Sequence, residues 1–191
     1  MKARIVDGVV YSPYPPMDIP LCSFYELARE KLLTNPGKTA MLDGTTSLTR
    51  AEVLAHMQRY AVGFRKHGVL AGDRVCVHLK SSVENIIAMY ACVLAGATIV
   101  LAKTSLTEGE LRYIVGDSDS THILTDEQFT DKVRKAVSNL PMKGLFCMGR
   151  SANFVSASMF LALDKEEFEE SPVTDPRNTD LAVCYTSGSK S

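Results

Sequence analysis

Arg74-Val75-Cys76-Val77-His78-Leu79-Lys80-Ser81-Ser82-Val83-Glu84-Asn85-Ile86-Ile87-Ala88-Met89-Tyr90-Ala91-Cys92-Val93-Leu94-Ala95-Gly96-Ala97-Thr98-Ile99-Val100-Leu101 is the stretch that decides the architecture. Arg74 to Leu79 is a short apolar run rich in valine, which predicts a buried strand. Ser81-Ser82 supplies capping hydroxyls, and Val83 to Ala95 then reads as a helix. Gly96 stops that helix, and Thr98 to Leu101 is a second β-branched run. Strand, helix and strand, with the strands apolar on both faces, predict a parallel pair joined by a crossover helix. Asn85 to Ala102 carries no charge and has the length of a membrane span. Gly96 and the change from helix formers to Thr98-Ile99-Val100 argue against that reading, so no membrane span is expected.

The pattern continues in both directions. Downstream, Thr107-Glu108-Gly109-Glu110 has capping-box spacing and opens a helix reaching about Ser118. His122 to Thr125 reads as a strand, Phe129 to Asn139 as a helix and Gly144 to Met148 as a strand. Asp164 to Glu170 reads as a short acidic helix, and Pro172 and Pro176 bracket a linker into a last strand. Upstream, Thr49-Arg50-Ala51-Glu52 repeats the capping-box spacing, with an apolar face at Val53, Leu54, Met57, Tyr60, Ala61 and Phe64. Asp43-Gly44 between strand-like runs predicts a hairpin, and Ser23 to about Leu33 a short helix. The proline-dotted residues 1–20 predict an extended arm. The fold class expected is therefore α/β: a mainly parallel, Rossmann-like sheet with helices on both faces, preceded by an extended arm and a hairpin.

Composition narrows the functional classes. The 191 residues suit one domain, with 46% apolar residues, 23% charged and a formal net charge of -1. No basic excess is available to neutralise a phosphodiester backbone, so no nucleic-acid partner is expected. Cys22, Cys76, Cys92, Cys147 and Cys184 are odd in number and scattered, which predicts reduced core thiols in a reducing intracellular compartment. His56, His67, His78 and His122 show no metal-ligand spacing and read as structural; no metal site is expected. The paired acids Glu166-Glu167 and Glu169-Glu170 read as a solvated face. Nothing in the sequence marks a catalytic residue.

The chemistry lies at the end. Leu181-Ala182-Val183-Cys184-Tyr185 is an apolar strand that opens into Thr186-Ser187-Gly188-Ser189-Lys190-Ser191. Amides and short hydroxyls around a glycine can meet a phosphate, because glycine lets the backbone approach closely. Parallel strands place their C-termini at one edge, where ligands of such sheets bind. A Walker A loop is excluded, since its glycines six and one residues before the lysine are Cys184 and Ser189 here. Dinucleotide-dependent oxidoreduction is weakened by the lack of a Gly-x-Gly-x-x-Gly after a strand.

Several segments, in order, resemble the adenylate-forming enzymes: acyl- and aryl-CoA synthetases, 4-coumarate–CoA ligases and beetle luciferases. Ser47-Leu48-Thr49-Arg50-Ala51-Glu52-Val53 is similar to their S-L-T-Y-x-E-L, with Arg50 in the usual aromatic place. Gly68-Val69-Leu70-Ala71-Gly72-Asp73-Arg74-Val75 resembles G-V-x-x-G-D-R-V. Val93-Leu94-Ala95-Gly96-Ala97 and Leu106-Thr107-Glu108-Gly109-Glu110-Leu111 resemble L-x-A-G-A…L-T-x-x-E-L. Tyr185-Thr186-Ser187-Gly188-Ser189 matches the start of Y-T-S-G-[ST]-T-G-x-P-K-G, the family's ATP-phosphate loop.

The resemblance implies an ATP-dependent acid–thiol ligase that activates a carboxylic acid as an acyl-adenylate and passes the acyl group to coenzyme A, with Mg2+ accompanying ATP. It implies ATP-phosphate contacts from Thr186, Ser187, Gly188 and Ser189. Lys190 would supply a cation only from a shifted position, because Lys190-Ser191 stands where the family has Thr/Ser-Gly. The resemblance also implies that residues 21–191 are the first α/β sub-domain of the family's large domain, an N-terminal fragment truncated at the phosphate loop and inactive alone. The alternative is a non-catalytic interaction or decoy module derived from such an enzyme. Cytoplasmic and peroxisomal locations are both compatible with the resemblance.

Overall fold

The computed structural model describes residues 3–15, 17–44 and 46–186. The chain begins with a two-stranded antiparallel ribbon, β1 (Arg4–Val6) and β2 (Val9–Tyr11). This refines the expected arm. Asp7 and Gly8 both adopt positive φ, 49° and 78°, as a two-residue turn demands, and the Asp-Gly signal marks them as it marks Asp43-Gly44. Helix α1 (Phe24–Leu33) follows, with Ser23 and Glu26 forming a capping box. The predicted hairpin is β3 (Thr39–Asp43) with β4 (Thr46–Thr49), and Asp43 pairs with Thr46. Thr49 and Glu52 then cap α2 (Arg50–Lys66).

The central unit comprises β5 (Arg74–His78), α3 (Val83–Leu94), β6 (Thr98–Leu101), α4 (Glu108–Asp117), β7 (His122–Asp126), α5 (Thr130–Ala136), β8 (Gly144–Met148), β9 (Val155–Ser156) and β10 (Ala182–Cys184). The six strands form one sheet in the order β10-β6-β5-β7-β8-β9, and every neighbouring pair is parallel. The uncharged stretch 85–102 is thus a helix followed by a strand. Among the described residues no helix is long and apolar enough to cross a membrane.

Alternation along each strand builds two cores. Val75, Val77, Ile99, Leu124 and Phe146 face one way, against α2, α3 and a 3-10 segment at Ala157–Ala162. Cys76, Val100 and Ile123 face the other, against α4 and α5, with Val183 and Tyr185 packed beside them. Strands buried on both faces are what a parallel sheet covered by two helical layers requires.

Two elements are shorter than the sequence suggests. The helix expected over 129–139 is a 3-10 turn at Glu127–Phe129 followed by α5, which ends at Ala136. The acidic helix expected over 164–170 is one 3-10 turn, Lys165–Glu167. The four glutamates of residues 164–170 supply charge but no apolar stripe to pack. The sequence reading missed β9 and the 3-10 segment, whose Phe160 is buried against the rings of Phe64 and Phe146.

Candidate functional site

A strap over residues 163–181 carries the chain to β10, and Arg65 holds it. The Arg65 guanidinium donates to the carbonyls of Leu94 and Ala95 at the end of α3, to the Glu169 carbonyl and to the Ser171 hydroxyl. One planar fork therefore binds a helix C-terminus and a passing chain together. Gly96, at φ 102°, permits that approach: a Cβ there would stand 2.7 Å from Ser171 Oγ. The strap then reaches the sheet, where Thr98 Oγ1 donates to the Asp180 carbonyl at 2.9 Å. Ile99 N–H donates to the Leu181 carbonyl at 3.1 Å.

β10 runs parallel to β6, with Cys184 beside Leu101, so Tyr185 and Thr186 emerge at the C-terminal edge of the sheet. Thr186 is exposed there. Tyr185 lies half-buried, and its hydroxyl donates to Asp117 Oδ2 at 2.6 Å. Desolvation and the bond to that carboxylate push the Tyr185 phenol up to about 12. Of the predicted site residues, Thr186 alone is described; Ser187, Gly188, Ser189 and Lys190 lie outside the described residues.

Two cavities open beside this exit. One, of about 420 Å³, lies toward α3 and is lined by Lys80, Asn85, Met89, Leu101, Lys103 and Tyr185, among others. The other, of about 510 Å³, lies toward α4 and includes Leu101, Lys103, Leu106, Tyr113, Tyr185 and Thr186. Leu101, Lys103 and Tyr185 line both. Lys103 therefore brings an ammonium to the same edge as the Thr186 hydroxyl, a residue that sequence reading did not single out. The signal available was positional: a cation two residues past the end of a strand, on the edge where such sheets bind ligands.

Strand order reverses at β5, since the chain runs from β5 to β6 on one side and then crosses back to β7 on the other. The crevice between β5 and β7 is the usual ligand position in such a sheet. Here Asp126 staples it, accepting from the Lys80 amide and from Asn85 Nδ2, both at 2.7 Å. Lys80 Nζ donates in turn to Gln128 Oε1 at 3.0 Å. The open volume lies instead around β6, next to the exit of β10.

The histidines occupy other positions. His78 and His122 are fully buried in strands, and burial lowers both pKa values. His122 Nδ1 lies 2.9 Å from Thr121 Oγ1, at the sheet edge opposite the candidate site. Asp73 is buried there too; burial raises its pKa, but bonds from Lys143, the Leu70 amide and Thr121 outweigh this and hold it below the usual value. Among the described residues, no group of three His, Cys, Asp or Glu side chains is arranged to hold a metal. Cys76, Cys92 and Cys147 are buried free thiols, and burial pushes that of Cys76 up to about 12.

The fold is a doubly wound parallel α/β sheet with two cavities at the exit of its edge strand, and comparison with known proteins gives the family. Residues 28–191 match the AMP-binding enzyme family, and the chain belongs to it. A medium/long-chain-fatty-acid–CoA/3-oxocholest-4-en-26-oate–CoA ligase of Mycolicibacterium smegmatis is 27% identical over 172 residues, which is 85% of this chain and 30% of that protein. A long-chain-fatty-acid–CoA ligase from Archaeoglobus fulgidus superposes with a TM-score of 0.81 at 21% identity, over 91% of this chain and 36% of that one. The luciferase-like enzyme of the nonluminescent mealworm Zophobas morio gives 0.78 at 21% identity, over 88% and 40%. The chain thus spans about a third of the length of these relatives and is related to AMP-forming acyl-CoA ligases.

Proposed function

We propose that this chain contributes the phosphate-binding elbow of an ATP-dependent acid–thiol ligase, which activates a carboxylic acid as its acyl-adenylate and transfers the acyl group to coenzyme A. The observation that carries this reading is the family match through residue 191 combined with the emergence of Tyr185 and Thr186 at the C-terminal edge, beside Lys103 and two cavities. When Mg-ATP is bound, adenylate formation expels pyrophosphate. The protein's task at this edge is to hold phosphate oxygens with amides, hydroxyls and a cation. A Thr186 hydroxyl and a Lys103 ammonium on one rim fit that task. Ser187, Gly188 and Ser189 would add the remaining donors, and Lys190 a second charge.

On this reading, residues 21–191 form the first α/β sub-domain of the family's large domain, with residues 1–20 as an arm. The 191 residues do not catalyse the reaction unaided, since they correspond to 30% of a related ligase. The test is carboxylate-dependent ATP–pyrophosphate exchange with the purified 191-residue chain. Exchange stays at background, while Mg-ATP shifts the amide resonances of Thr186 to Ser189. Robust exchange would refute the incompleteness, and silent loop amides would refute the phosphate elbow.

A further inference from the structure

We propose that Tyr185 is a positioning residue for the phosphate loop, its hydroxyl latched to Asp117 so that Thr186 is presented in one fixed direction. The inference rests on the phosphate-elbow reading above.

Three observations carry it. First, β10 is weakly held by its own ladder: it has three residues, Ala182 and Cys184 are exposed, and among the described residues only β6 pairs with it. Short, half-exposed strands fray at their ends unless side chains pin them. Second, both ends of β10 are pinned in that way. Thr98 binds the Asp180 carbonyl at the start, and the Tyr185 hydroxyl binds Asp117 at the finish. Asp117 is the last residue of α4, and α4 is anchored by its Thr107–Glu110 capping box and by buried Leu111, Ile114 and Val115. The bond therefore ties the residue before Thr186 to a rigid element 68 positions earlier. Third, the Tyr185 ring packs beside the second core and borders both edge cavities. A phenylalanine could fill that space equally well. The hydroxyl adds only the latch, a charge-assisted bond to a carboxylate.

The consequence falls on Thr186. Rotation at Tyr185 swings Thr186 relative to Lys103, and ångström-scale misplacement is costly where catalysis depends on positioning. Tyr185 itself need not touch phosphate.

The experiment uses the isotope-labelled 191-residue chain titrated with magnesium tripolyphosphate, read at the amides of Thr186 to Ser189. Tyr185→Phe and Asp117→Ala should each weaken binding roughly three- to tenfold, the range one partly exposed hydrogen bond supports. Urea midpoints should barely move. Asp117→Asn keeps an oxygen acceptor and should recover most of the affinity, which a merely structural role for the aspartate would not require. Faster amide exchange at Thr186 in Tyr185→Phe is the companion readout. Wild-type binding that both variants reproduce would overturn the latch and leave the phosphate elbow standing. Wild-type loop amides indifferent to the probe would overturn the elbow and the latch together.

Discussion

Gly63 sits inside α2 because nothing larger fits: a Cβ there would lie 2.1 Å from the ring of Phe160. Alanine normally improves a helix interior by about 1 kcal/mol over glycine, but overpacking a tight core costs about 1–3 kcal/mol. Gly63→Ala should therefore lower the urea midpoint, and pairing it with Phe160→Leu should recover part of the loss; additive losses would show that the two sites do not meet. Asp73 makes a second residue-scale case. Its depressed carboxyl stabilises the fold above its unfolded pKa of about 3.9, and that contribution is lost as pH falls through the lower folded value. Asp73→Asn should cost about 1–3 kcal/mol at neutral pH, with the gap to wild type closing in acid. Chemical denaturation at pH 7 and pH 3.5 checks both statements. In the sequence Asp73 stands only as one position of the Gly68–Val75 segment, with no partner indicated. Its partners Thr121 and Lys143 are brought to it by β7 and β8, and no local pattern announces such a meeting.

The elements most legible in the sequence were those whose signal is local. Ser23–Glu26, Thr49–Glu52 and Thr107–Glu110 all form capping boxes, and β5, α3 and β6 lie within a residue of their expected bounds. What escaped depended on tertiary contact: β9 has two residues and exists because β8 offers it an edge, and Phe160 reads as loop until its ring meets Phe64. At the proposed phosphate edge, hydroxyls around a glycine point to Thr186, whereas the nearness of Lys103 and the Tyr185–Asp117 bond arise only when β6, β10 and α4 come together. The ribbon β1–β2 yields an element-scale prediction. All six of its residues are exposed, including Ile5 and Val10 at 69% and 67%, so it buries little apolar surface. Deleting residues 1–20 should shift the thermal midpoint by no more than about 2–4 °C, the change that about 1 kcal/mol produces in a domain of this size. A larger drop would show that the ribbon supports the core.

The whole molecule carries two fully buried histidines, His78 and His122, whose protonation burial disfavours, and this gives the sign of their contribution in mild acid. Unfolded histidine takes up a proton near pH 6.5, whereas burial lowers the pKa of His78 and His122 in the folded chain. The unfolded state therefore binds more protons below about pH 6.5, and stability falls with pH in that window. Urea midpoints at pH 7.5 and 5.5 should differ in that direction, with a shallower dependence in His122→Gln; a flat profile would contradict the buried-neutral assignment. Sheet order also fixes the sequence in which the parts can assemble during synthesis. A chain emerging from its N-terminus has β5 to β8 and both helical layers available before Arg65 can grip the strap and before β10 exists. β10 must then seek a neighbour, β6, that was translated some eighty residues earlier, a pairing whose long loop makes it slow. β10, and with it the exit at Tyr185 and Thr186 that we propose leads into a phosphate elbow, is consequently a late addition to a scaffold whose other strands can already pair.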